Sequence, residues 1–358
     1  MSRPTRAIID LNALQTNYRK ARALHGGRAL AVLKANAYGH GAIACANALA
    51  SLADGFAVAF LEEALQLRQA GIRNPILILE GCFTRDELLE AQRSHCWIVV
   101  HHESQLRAVE QLKGDGQALD VWLKIDTGMR RAGFATKHAL EAHRRLRACA
   151  NVSQVTLMSH FARADEPDSS STQEQVKQFD AAVAGIDAPH SLSNSAGLLL
   201  WPRARRDWAR PGILLYGTNS IPGTAESFDP VMTLESEVVA VRDLHTGDAL
   251  GYGAHFVADA PRRVGLVAIG YADGYPRTTP NGTPVQVGGR QAAVLGRVSM
   301  DMMTIDLTDV PAAGVGSRVE LWGKAIPVST VAASVGTLDY ELLCHVQRVE
   351  RSYVAGTR

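Results

Sequence analysis

The sequence predicts an α/β architecture: a (β/α)8 TIM-type barrel followed by a mostly-β C-terminal domain. Three observations predict it. From residue 8 to about 217, short runs rich in Val, Ile and Leu alternate with longer segments of helical periodicity. Those runs are apolar at nearly every position, as are strands of a parallel sheet buried on both faces. Past about residue 230 the texture changes to alternating β-branched runs separated by turn residues.

Taken in order, the strands of the first part fall at Ala29–Leu33, Phe56–Phe60, Ile76–Leu79, Trp97–Val100, Leu119–Ile125, Val155–Ser159 and Ser191–Ser193, with a weaker eighth at Arg206–Ala209. Helical segments intervene at Asn12–Leu24, Ala42–Leu52, Glu62–Ala70, Arg85–Arg93, Glu103–Lys113, Lys137–Ala148 and Thr172–Gly185. Thr84 and Thr136 stand where N-caps are expected. Seven or eight βα units in about 200 residues fit a closed barrel. A doubly wound open sheet is the competing topology, but no glycine-rich nucleotide fingerprint follows the first strand. Loop chemistry at Asn219–Pro230 marks the change of domain. Strands follow at Thr233–Asp243, Val264–Ile269, Val285–Val287, Met303–Leu307 and Val319–Trp322, with one helix at about Ser329–Gly336. The expected organisation is a barrel over residues 1–228 and a β-rich domain over residues 229–358.

Composition narrows the function. The chain has 358 residues, room for two domains at roughly 100–200 residues each. Thirty-seven basic residues balance 36 acidic ones, and no basic stripe interleaves with aromatics, so no nucleic-acid partner is expected. No apolar run approaches the length of a membrane span, and the N-terminus lacks a signal-peptide core, so a cytoplasmic location is expected. The five cysteines are scattered and form no C-x-x-C, which reads as free thiols rather than a disulfide framework or a zinc site; no metal is expected.

The chemistry starts at Lys34, on which the first apolar strand ends. A residue at the C-terminal end of a barrel strand faces the active-site mouth. A lysine there can form a Schiff base with an aldehyde cofactor if its amine is kept deprotonated, or can simply snorkel to the surface, and the strand position alone does not separate the two. Tyr38 would overlie the same mouth. His160 ends the sixth strand, Asn194 and Ser195 end the seventh, and Arg210 ends the eighth. Pro211 suits the first turn of a short helix, and the N–H groups of Gly212 and Ile213 would then suit an anion. Tyr38, Ser195, Gly212 and Ile213 thus form one candidate phosphate cradle, at the place where barrels often bind phosphate.

The string VLKANAYGHG at 32–41 closely resembles the cofactor-lysine motif of alanine racemases. The resemblance continues in order through KIDTGMRRAG at 124–133, SHFARAD at 159–165, SNS at 193–195, RPGI at 210–213, GYADG at 270–274 and RVSMD at 297–301, and so spans nearly the whole chain. It implies pyridoxal 5′-phosphate (PLP) on Lys34, with phosphate contacts from the cradle and from a C-terminal tyrosine matched to Tyr340. It implies that Arg210 faces the pyridine nitrogen, where its fixed positive charge disfavours ring protonation and so favours racemisation over transamination. It implies a second base, Tyr271, contributed by the partner subunit of a homodimer and polarised through His160 and Arg210. Arg131 would take the substrate carboxylate or the cofactor phenolate, and Met300 and Asp301 would line the carboxylate pocket. Lys124 matches a lysine that is carbamylated in many relatives. Ser299 departs from the family, where cysteine is frequent.

The implied activity is interconversion of L- and D-alanine by two bases, supplying D-alanine for peptidoglycan or feeding its catabolism, with a lean to the catabolic proteobacterial branch. A racemase for another amino acid, such as serine, or for a broad set stays open, because an apolar pocket discriminates single groups by only ~1–3 kcal/mol. A PLP decarboxylase would carry an acidic partner where Arg210 stands, and a non-catalytic PLP carrier would lack the β domain.

Overall fold

The computed structural model of the chain describes residues 3–112, 117–218 and 224–354. Strands Arg28–Val32, Gly55–Val58, Ile76–Ile78, Trp97–Val100, Leu119–Asp126, Val152–Met158 and His190–Ser191 pair in parallel and in chain order, and Trp208–Ala209 pairs with the opposite edge of the first. Between the last two strands the ring is closed by single bonds: Ser191 Oγ donates to the Trp208 carbonyl (2.9 Å) and the Arg210 N–H to that of Ser193 (2.8 Å). Gly55–Val58 and Ile76–Ile78 are buried at every residue, as strands covered on both faces must be.

The covering helices start where local chemistry allows. Asp10 caps Leu11–His25 by accepting the N–H groups of Asn12 and Ala13, and Gly26 ends it in the left-handed region at φ 80°. Thr84 caps Arg85–Arg93 as the sequence suggests. Thr136 does not cap: it opens a single 3₁₀ turn ahead of the helix Ala139–Ala148. Trp97, Trp122 and Trp208 pack on one another with ring centres 5.5–6.1 Å apart, and Arg28 lies over the Trp208 ring.

The second part is an eight-stranded sheet. Its long strand, Met232–Leu244, pairs antiparallel with both Arg262–Val267 and Arg318–Trp322, so six of the strands close on themselves. Met232–Leu244 also pairs with Arg6–Asp10, which runs parallel to Glu350–Val354. The N-terminal strand therefore sits in the second sheet, whereas the expected barrel domain began at residue 1. Buried Glu235 ties it in, accepting from Arg6 (2.5 Å) and pairing with Arg318. The sequence reading also missed the strand Arg290–Leu295 and the helix Asp339–His345. Of the inter-domain loop, residues 219–223 lie outside the described part, as does Lys113.

Candidate active site

The C-terminal ends of the barrel strands surround a cavity of about 180 Å³. Of the residues singled out in the sequence, it brings together Lys34, Tyr38, Lys124, Arg131, His160, Asn194, Ser195, Arg210, Gly212, Ile213 and Tyr340. It adds Glu80, the carboxylate in a lining otherwise rich in cations. Glu80 lies two residues past the strand Ile76–Ile78, a strand-end position that could have flagged it. Its backbone carbonyl is fixed by Gln105 Nε2 (3.0 Å) and His101 Nε2 (3.1 Å).

Lys34 does not simply end a strand. The strand stops at Val32, and Ala35, Asn36, Ala37 and Tyr38 all take left-handed conformations, at φ 52°, 54°, 54° and 48°. Each such non-glycine residue costs roughly 1–2 kcal/mol, and a run of them persists only where the surroundings over-determine it. Here they do. Glu63 accepts the Ala35 N–H (2.6 Å) together with that of Ala59 (2.7 Å). Asn36 Oδ1 accepts the Ala42 N–H (2.8 Å). Arg351, from the C-terminal strand, donates to the Gly39 carbonyl (2.6 Å). Gly39 and Gly41 are obligatory at this contact, since a Cβ would lie 2.1 Å from the Leu343 carbonyl oxygen or 2.0 Å from the Tyr353 hydroxyl.

The cradle joins Tyr38, from this turn, to the segments at Ser195 and Gly212. Asn194, not Ser195, caps the helix Ser195–Leu200, accepting the Gly197 N–H. That leaves Ser195 Oγ to accept the Gly212 N–H (3.0 Å). A Cβ on Gly212 would sit 2.6 Å from Tyr38 Oη, so only glycine lets that hydroxyl close on the backbone. Tyr38, Ser195, Gly212 and Ile213 line the cavity together, and their hydroxyls and N–H groups suit a phosphate once the Gly212 N–H exchanges Ser195 Oγ for the anion. Tyr340 packs edge-on against Tyr38, ring centres 5.8 Å apart.

Arg210 is buried and held by acceptors: Ser191 through its carbonyl (3.0 Å) and hydroxyl (2.5 Å), and the Ser159 carbonyl (2.7 Å). Burial lowers its pKa to about 10, which still leaves it charged at neutrality. Its Nη2 stands 3.5 Å from His160 Nδ1. Burial first, and then the nearby cations led by Arg210, hold the imidazole well below its usual pKa, so His160 is neutral and able to accept. Burial also lowers Lys124 to about 8, opposed by Glu80 and assisted by Arg131 and Arg210.

Tyr271, Met300 and Asp301 are not at this cavity. They stand together on the second sheet's side of the molecule. The Tyr271 and Ala272 N–H groups bond to the carbonyls of Ser299 and Met300 (3.0 Å each), a contact that a side chain on Gly270 would block. Tyr271 is 38% exposed and Met300 52%. Behind them, fully buried Asp273 accepts from Arg3 (2.8 Å) and from the Gly270 N–H (3.1 Å), while Arg348 reaches Asp301 (3.1 Å). The sequence reading missed this support, which joins segments far apart in the chain.

The chain matches the alanine racemase N-terminal domain family over residues 9–220 and the corresponding C-terminal domain family over residues 231–353. It is 59% identical over 351 residues to an alanine racemase of Azoarcus sp., covering 98% of this chain and 99% of that protein. It is 54% identical over 355 residues to a catabolic alanine racemase of Pseudomonas putida, with the same coverage. Its fold matches the crystal structure of biosynthetic alanine racemase from Pseudomonas aeruginosa with a TM-score of 0.95 at 44% identity, covering 99% of this chain and 100% of that one. It also matches alanine racemase from Bartonella henselae with covalently bound pyridoxal phosphate, at a TM-score of 0.90 and 28% identity, covering 98% and 99%.

Proposed function

The chain belongs to the alanine racemase family of PLP-dependent isomerases, and from that premise we propose that it interconverts L- and D-alanine with Lys34 and Tyr271 as the two bases. The observation that carries the reading is one cavity lined by Lys34 and Tyr38 from one turn, by Ser195 and Gly212, and by buried Arg210. PLP fits that donor set: an amine for its aldehyde, a neutral-plus-backbone cradle for its phosphate, and a permanent cation for its ring nitrogen. When bound, it supplies the conjugated ring that makes a substrate α-proton removable.

The chain's own residues do the rest. Arg210, still a cation at neutral pH, disfavours a proton on a ring nitrogen placed beside it, because like charges repel. Arg131 binds the substrate carboxylate. Lys34 Nζ takes or returns a proton on one face of the α-carbon. The opposite face needs a second base, and Tyr271 lies outside this chain's cavity with its ring half-exposed, which supports its serving a second copy of the chain. In that homodimer, Met300 and Asp301 would arrive with it, and neutral His160 would polarise its hydroxyl with Arg210 behind. A cytoplasmic location fits this reading, and no helix among the described residues is long and apolar enough to cross a membrane. The domain division follows the same logic, with the barrel to residue 228, the β unit from 229, and the strand Arg6–Asp10 counted with the latter. The same equilibrium serves D-alanine supply for peptidoglycan and D-alanine catabolism.

The test is incubation with L-alanine in heavy water while chirality and α-deuterium are followed together. Deuterium appearing mainly in the product enantiomer is expected from two bases on opposite faces. Retention of chirality in alanine, with racemisation of serine or lysine run in parallel, would move the substrate assignment.

A further inference from the structure

Two residues beyond the left-handed turn that joins Lys34 to Tyr38 stands a histidine, His40, to which neither base chemistry nor substrate binding gives a role. His40 is fully buried. Its Nδ1 lies 2.9 Å from the Ala37 carbonyl oxygen and 2.9 Å from that of Tyr38. Carbonyls only accept, so Nδ1 carries the hydrogen, and a neutral ring leaves Nε2 bare. Nε2 is buried with no hydrogen-bond partner among the described residues, which suits a lone pair and penalises a proton. The imidazole is therefore a fixed neutral donor, shared between two successive carbonyls of a run of backbone that local propensity does not favour.

The same ring lies against Tyr216, with centres 4.4 Å apart and planes 28° apart. Tyr216 donates its hydroxyl to the Val32 carbonyl (2.8 Å), two residues before Lys34, and its ring touches Tyr38 at 4.8 Å. One stacked pair thus grips the chain on both sides of Lys34: Tyr216 before it, His40 after it.

We propose that His40, backed by Tyr216, is a positioning residue that locks the turn 35–38 so that Lys34 Nζ and Tyr38 Oη face the same cavity. Neither ring lines the cavity, so neither touches a ligand there. Without the shared Nδ1 bond, the turn loses a constraint that its own sequence does not replace, and the amine and the hydroxyl lose their common aim. The inference rests on Lys34 being the attachment point for PLP, and the experiment separates the two.

Full-length wild type, His40→Leu and His40→Asn would be compared for PLP dissociation constant, visible circular dichroism of the bound cofactor, kcat and KM for alanine, and thermal stability. Borohydride reduction followed by peptide mapping would locate the cofactor. Asn places Nδ2–H where the imidazole carries Nδ1–H, whereas Leu fills space without a donor. His40→Leu should bind PLP roughly tenfold more weakly, with an altered dichroic band and lower kcat, and His40→Asn should recover most of that loss. A Leu variant that only melts earlier, with wild-type PLP affinity and dichroism, would make His40 a packing residue and overturn the proposal. So would an Asn variant no better than Leu. If the Leu variant does not fold, near-wild-type affinity in His40→Asn supports the proposal and a tenfold loss overturns it. Wild-type protein whose reduced cofactor maps to a peptide other than that of Lys34 would instead remove the site reading itself.

Discussion

At the scale of single residues, the cavity is dominated by where positive charge can be kept. Arg210 is surrounded by carbonyl oxygens and a hydroxyl that only a donor can satisfy. Arg210→Glu would set a carboxylate against those oxygens, so Arg210→Gln is the cleaner removal of charge. With the cation gone, a ring nitrogen beside it becomes easier to protonate, and the ratio of transamination to racemisation should rise measurably when cofactor products are separated by chromatography. A fall in racemisation with no change in that ratio would contradict the electronic role. Lys124 offers a pH test. Burial brings its pKa to about 8, so its free amine grows as pH rises through that value, well below an exposed lysine. Only the free amine attacks CO2. At constant dissolved CO2, carbamate on Lys124 should therefore increase from pH 7 to pH 9, read by isotope-labelled bicarbonate and magnetic resonance, and Lys124→Arg should abolish the signal.

At the scale of elements, the turn after Lys34 shows what a sequence can and cannot reveal. The strand before it was legible, because Val32 and its neighbours are apolar at every step. The turn's handedness was not: no glycine occurs in Ala35–Tyr38, and local propensity alone favours a right-handed continuation. Tertiary partners override it, and Glu63 is the one that reaches across from a neighbouring helix. Its carboxylate collects the N–H groups of Ala35, Ala59 and Phe60, the last at 3.3 Å. Glu63→Ala should destabilise the protein by about 2–3 kcal/mol in urea unfolding and weaken PLP retention in parallel, whereas Glu63→Gln, which keeps one acceptor oxygen, should lose less. A stability loss without any change in PLP retention would uncouple the helix start from the lysine turn. The strand Arg6–Asp10 escaped the sequence reading for a related reason. It is five residues long, and its partners begin at Glu235 and Glu350, so nothing local marks which sheet it joins. Lys34, His160, Asn194, Ser195 and Arg210 were legible because each follows a strand end, whereas Lys124, inside the strand Leu119–Asp126, and Tyr340, in the helix Asp339–His345, were legible only through the family resemblance, and Glu80 stands at a strand end that carries no recognised motif.

At the scale of the whole molecule, buried neutral histidines set how the fold responds to acid. Burial lowers His40 to about 4, helped by Arg351 nearby, against an ordinary value near 6.5, and His160 shifts in the same direction. Between those pH values the unfolded chain binds a proton that the folded chain refuses, so stability is fully present above pH 6.5 and is lost as pH falls towards 4. His40 alone accounts for about 3 kcal/mol of that loss. Unfolding midpoints should decline over this window, and the decline should be shallower in His40→Asn.

The proposed second base, Tyr271, is tested at the same scale. Tyr271, Met300 and Asp301 form one half-exposed group braced by Asp273 and Arg348, apart from the cavity that holds Lys34. If they complete a neighbouring copy's site, two inactive variants can rebuild one. In a heterodimer of Lys34→Ala and Tyr271→Phe, one barrel keeps Lys34 and receives the intact Tyr271 of its partner, while the other site lacks both. With random pairing, half the dimers are mixed and half of their sites are native, so about a quarter of wild-type activity should return. The reciprocal mixture discriminates further. Wild type paired with the double variant Lys34→Ala/Tyr271→Phe leaves every site of the heterodimer lacking one base, so mixing should depress activity below that of the wild-type homodimers added. Were Tyr271 to act within its own chain, the first mixture would stay inactive and the second would keep one native site per heterodimer. The two mixtures therefore move in opposite directions under the two arrangements, and mass analysis of the mixed dimers confirms that pairing occurred in each.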